Sequence, residues 1–82
     1  MAKARTKDEM FIICAYETAT KGGDIHMTLD RYEIGNRCGI SPKGVNAICN
    51  LLMRCNFIML KEETGMYLTK HGEKLALRLL EE

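Results

Sequence analysis

The stretch that most restricts how this chain can fold is Asn36-Arg37-Cys38-Gly39-Ile40-Ser41-Pro42-Lys43. Glycine accepts the left-handed conformation that commonly ends a helix, so Gly39 closes one. Ser41 is a favoured cap, and Pro42 at the first helical position loses no hydrogen bond, so the next helix starts almost at once. Two helices joined by so short a turn must cross steeply and share one face.

The flanks say where those helices begin and end. Asp30 and Glu33 have capping-box spacing, and Leu29 and Ile34 occupy the two positions of a hydrophobic staple. A helix over residues 31–38 follows, with Glu33 expected to reach back to the cap. The second runs from Pro42 to about Cys55, and Asn56 is its expected left-handed terminator, because Asn tolerates positive φ. Gly35 is the small residue that lets the two backbones approach, and Ile34, Cys38, Ile40, Val45 and Ile48 supply the apolar contact.

Around this pair the remaining elements fall into place. Thr6 and Glu9 form a second capping box ahead of "KDEMFIICAYETATK", a helix apolar over a broad face, and Gly22-Gly23 ends it. "DIHMT", residues 24–28, is too short for a helix and is expected to form one short strand. "FIMLKEETGMYLT" holds two apolar runs about a polar loop, which predicts a β-hairpin. Thr69 then caps a final helix, "KHGEKLALRLLEE". The chain has 82 residues, few aromatics and no Trp. That length makes one small domain, burying roughly 60 % of its unfolded surface. The expected organisation is a basic arm over residues 1–6 and one domain over 7–82.

Together these elements resemble the winged helix-turn-helix of small prokaryotic-type transcriptional regulators. The helix-turn-helix covers residues 31–55 and the wing 57–68. "NFI" (56–58) stands where that family usually has "GLI", and "YLTKHG" (67–72) resembles its "LT..G" closing signature. The resemblance covers nearly the whole chain. It implies an α+β, mostly helical fold with a three-helix core, a short β-hairpin wing and a C-terminal helix over 70–82. It also implies sequence-specific binding of double-stranded DNA. Winged helices serve as protein-docking modules too, which is the alternative function.

The residues support a reading face independently. At about 100° per residue, Val45, Ile48, Cys49, Leu52 and Cys55 fall on one side of the third helix. Lys43, Asn46, Ala47, Asn50 and Arg54 fall opposite, with side chains suited to base edges and phosphates. A merely solvated face usually mixes Glu with Lys, yet no Asp or Glu occurs between Ile34 and Lys61. The expected DNA-contacting set is Arg37, Ser41, Pro42, Lys43, Asn46, Ala47, Asn50, Arg54 and Lys61. Ser41 and the helix N-terminus suit a phosphate.

The formal net charge is only +1, but it is uneven. Residues 31–54 carry +3, from Arg31, Arg37, Lys43 and Arg54 against Glu33. Lys3, Arg5 and Lys7 make the N-terminal arm basic enough to reach phosphates or to act as a solubilising tail. Residues 62–82 carry −2, and Glu62 and Glu63 at the wing tip oppose a phosphate contact there. In the last helix Leu75, Ala76, Leu79 and Leu80 form a stripe and Leu77 lies off it. Leu75, Leu77, Leu79 and Leu80 are therefore the expected dimerisation residues of a homodimer.

Other chemistry finds no support. Cys14, Cys38, Cys49 and Cys55 form no C-x-x-C pair and sit at helical spacing among apolar residues, as core thiols do. With His26 and His71 they match no structural zinc spacing. No nucleophile signature surrounds either histidine, and "GISPKG" lacks P-loop spacing. No enzyme activity, metal or cofactor is expected. Without an apolar segment long enough to span a bilayer or a signal peptide, the expected location is cytoplasmic.

Overall fold

A computed structural model describes residues 5–81. In chain order the elements are α1 (Lys7–Lys21), β1 (Leu29–Asp30), α2 (Arg31–Cys38), α3 (Pro42–Arg54), β2 (Ile58–Lys61), β3 (Gly65–Leu68) and α4 (Lys70–Glu81). The three strands form one antiparallel sheet in the order β1-β3-β2. Four helices and a small sheet in this order make a winged helix.

Each helix starts where its cap demands. Thr6 accepts from the Glu9 amide while the Glu9 carboxylate accepts from the Thr6 amide at 2.9 Å, a complete capping box. Asp30 takes the amides of Tyr32 and Glu33 at 2.9 and 3.2 Å. Glu33 does not reach back, however; it pairs with Arg37 one turn on, at 3.2 Å. α2 closes with Gly39 at φ 75°, the Gly39 amide on Asn36 O and the Ile40 amide on Gly35 O, a Schellman pair. Ser41 accepts from the Gly44 amide at 3.2 Å. Asn56, at φ 64°, is left-handed as its sequence position predicts.

Residues 24–28 do not form the expected strand. The Asp24 carboxylate accepts from the His26 amide and the Asp24 carbonyl from the Met27 amide, both at 3.0 Å. An Asp that captures nearby amides makes a turn and keeps them out of a ladder. Pairing begins only at Leu29, opposite Met66.

One apolar cluster takes residues from every element: Phe11 and Ile12 of α1, Leu29, Ile34, Val45, Ile58, Met66 and Ala76. Two glycines set how closely its parts approach. A Cβ at position 35 would overlap a methyl of Val45, so α2 and α3 touch backbone to side chain there. A Cβ at position 72 would run into the Phe57 carbonyl, and Thr69 braces the same corner. Its hydroxyl donates to Asn56 O at 2.6 Å and accepts from the Gly72 amide at 3.1 Å. The "LT..G" signature is thus the device that lays α4 against the connection from α3 to β2.

Three further expectations need correction. Cys14 and Cys38 are joined in a disulfide that ties α1 to the end of α2, their Cα atoms 6.7 Å apart. They lie far apart in sequence, and the α1–α2 packing brings them together. Cys55 lies exposed at the C-cap of α3, beyond the last turn that faces inward. Only Cys49 is a buried free thiol, and burial pushes its pKa up to about 11 against an opposing pull from Arg31. In the basic arm, Arg5 donates to the Leu79 carbonyl at 2.8 Å, in the last turn of α4 where a cation is favoured. Lys3 lies outside the described residues. Among the described residues no helix is long and apolar enough to cross a membrane.

Two measurements check this packing. Gly72→Ala should lower the unfolding free energy by about 1–3 kcal/mol in urea titrations, the usual cost of forcing an atom into a filled space. Iodoacetamide should label Cys55 in the folded protein, Cys49 as well after denaturation, and Cys14 and Cys38 only after added reductant; mass spectrometry counts the adducts.

Candidate nucleic-acid interface

The roll of α3 about its axis decides what it offers to solvent. Val45, Cys49 and Leu52 point into the core and Ile48 is half-buried. Lys43, Asn46, Ala47, Asn50 and Arg54 are all exposed and lie on the other side. Five of the nine residues singled out for DNA contact therefore share one helix face, and no carboxylate belongs to that helix.

The other four are placed differently. Ser41 and Pro42 are exposed at the start of α3. Ser41 is committed to the Gly44 amide and Pro42 has no N–H, so the first turn retains chiefly the Lys43 amide for an anion. Arg37 does not join the outer face of α3. It is paired with Glu33 and borders a cavity of about 250 Å³ with Cys14, Glu17, Thr18 and Lys21, on the side of α1. Lys61 is exposed at the end of β2 and lines a groove of about 620 Å³ on the sheet with His26, Met59, Tyr67 and Lys70.

Two side chains outside the expected DNA-contacting set bind this face to the wing. The Tyr32 hydroxyl donates to Asn46 Oδ1 at 2.7 Å. The Arg31 guanidinium lies over the Tyr32 ring, 5.1 Å from its centre, a cation–π distance. It also donates to the Glu63 carbonyl at 2.6 Å and the Gly65 carbonyl at 3.4 Å, and the Arg31 amide donates to Thr64 O at 2.9 Å. The wing turn is therefore held by α2. Arg31 meets backbone oxygens there, and the Glu62 and Glu63 side chains stay exposed. Helical periodicity cannot find such contacts, because Tyr32 and Asn46 belong to different helices.

The expected dimerisation residues divide. Leu79 is 3 % exposed and belongs to the chain's own core, which removes it from any interface, and Leu75 is half-buried against that core. Leu77 and Leu80 are exposed at 42 % and 43 %. The helix turns Ala76 and Leu79 inward, and Leu80, next in sequence to Leu79, is carried round toward solvent. No group of three or more His, Cys, Asp or Glu capable of holding a metal exists among the described residues.

No protein-family model matches the sequence, and no curated protein matches it. Among solved structures the chain is similar to a MarR family regulator from Neisseria meningitidis, with a TM-score of 0.63 and 19 % sequence identity. The superposition covers 87 % of this chain and 51 % of the regulator, so the chain spans about half that protein's length. At that identity the likeness establishes the winged-helix fold.

Proposed function

We propose that this chain binds double-stranded DNA sequence-specifically through α3, as a small cytoplasmic transcriptional regulator working as a homodimer. The observation that carries this reading is the outer face of α3. Lys43, Asn46, Ala47, Asn50 and Arg54 are exposed together on a helix without a carboxylate. In the major groove Asn46, Ala47 and Asn50 would face base edges, and Lys43 and Arg54 would lie within reach of phosphates. The MarR family regulator of like fold is described as a regulator, which agrees with this use.

A pair of copies fits the small number of cations. One module with few phosphate contacts binds weakly, and two half-sites about 34 Å apart compensate. Leu77 and Leu80 are the apolar side chains that α4 leaves outward for pairing. The second reading, a protein-docking winged helix, is favoured by the acidic wing turn at Glu62 and Glu63, which phosphates would repel.

Fluorescence anisotropy on mixed-sequence duplex DNA across a salt series separates the two. The DNA reading expects affinity to fall steeply with salt, and Lys43→Ala to lower the log–log slope by about one. Absence of binding even at about 50 mM salt, where phosphate contacts are strongest, defeats it. Sedimentation velocity tests the pairing. The wild type should run as a dimer and Leu77→Glu with Leu80→Glu as a folded monomer; a monomeric wild type rejects the homodimer.

A further inference from the structure

Asn46 stands on the exposed edge of α3 with one end of its amide already engaged. An Asn side chain ends in one acceptor oxygen and an NH2 group with two donors, on opposite sides of Cγ. The Tyr32 hydroxyl donates to Oδ1 at 2.7 Å, which turns the oxygen end toward α2. The NH2 end therefore points away from Tyr32.

Tyr32 is itself held. Arg31 is stacked over its ring at 5.1 Å, and the same guanidinium is anchored on the Glu63 and Gly65 carbonyls of the wing turn. Tyr32 is also packed against the core, so its hydroxyl is presented from a braced ring. The Tyr32–Asn46 bond thus ends a chain that starts in the wing and finishes on the face offered to a ligand.

Base edges respond to such an orientation. In the major groove guanine shows two acceptors, N7 and O6, whereas adenine shows the N7 acceptor beside the N6 amino donor. The bidentate Asn–adenine pair needs the amide oxygen turned to the N6 amino group. With that oxygen drawn toward Tyr32, the NH2 end meets the base first. It matches the acceptor pair of guanine and sets donor against donor at the adenine amino group.

We infer that Tyr32 is a specificity-determining positioning residue, which fixes the amide of Asn46 so that α3 reads a guanine edge in preference to adenine. This rests on the DNA-binding reading of α3. Tyr32 needs no contact with DNA for the effect; it acts through Asn46.

The test begins with selection of a preferred duplex from a random library by the wild type. The wild type, Tyr32→Phe and Asn46→Ala are then measured on duplexes carrying all four base pairs at each position. Asn46→Ala identifies the position that Asn46 reads, by flattening preference there. At that position the wild type should favour guanine over adenine by about tenfold, the size of discrimination one good base contact gives. Tyr32→Phe keeps the ring and frees the amide, so the preference should shift toward adenine with the salt slope unchanged. Thermal unfolding of each variant confirms that it is folded. Adenine preferred by the wild type at that position, or an unaltered preference in Tyr32→Phe, overturns the inference while DNA binding stands. A wild type that binds no duplex at low salt overturns both, and that failure shows before any variant is compared.

Discussion

The contact between Gly35 and Val45 governs the rest of the molecule. A methyl of Val45 occupies the place where any side chain at position 35 would begin, so the α2 backbone rests directly on the Val45 side chain of α3. Val45 is then fully buried, and with it the roll of α3 is fixed. Cys49 and Leu52 follow it inward at helical spacing, and Lys43, Asn46, Asn50 and Arg54 are forced outward. The exposed polar face is a consequence of core packing.

A second close approach sets the other end of α3. The missing side chain at Gly72 lets α4 rest on the Phe57 carbonyl, and Thr69 binds the Asn56 carbonyl beside it. Asn56 turns the chain with a positive φ, so β2 leaves α3 in a defined direction. The hairpin then returns to α2, where Arg31 takes up the carbonyls of Glu63 and Gly65. The wing is thus tied at its base by α4 and at its turn by α2. An exposed hairpin alone would be marginally stable, and β1 supplies the third strand it needs.

How much of this was legible in the sequence follows the range of each interaction. Caps, the Gly39 turn, the left-handed Asn56 and the hairpin are local, and the residues that cause them lie within a few positions of the structure they make. The polar set on α3 was legible for the same reason, since one helix period generates it. Contacts between distant segments were not. Nothing near Cys14 marks Cys38 as its partner, and Arg5 finds Leu79 only once α1 and α4 have packed. The strand expected at 24–28 does not form for a local reason, since Ile25, Met27 and Thr28 suit a strand but Asp24 captures the His26 amide and turns the chain. The burial of Leu79 in the chain's own core is not legible either, because a stripe on a helix does not say which neighbour consumes it.

The surface charges limit what a duplex could find here. Arg37 is neutralised by Glu33, Arg5 is engaged at the end of α4, and Arg31 is occupied by the wing. Of the cations between residues 31 and 54, Lys43 and Arg54 are the ones that α3 itself presents. Arg31 grips backbone carbonyl oxygens at the wing turn and the Glu62 and Glu63 side chains stay exposed, so a second phosphate-binding patch there is disfavoured. Under the DNA-binding reading, non-specific attraction per copy is then weak, because it scales with the phosphates neutralised. On that reading discrimination would come from few side chains, and the orientation of one amide would be a large fraction of it. A rigid link from wing to Tyr32 to Asn46 serves that situation, since an amide free to turn over would match two bases instead of one.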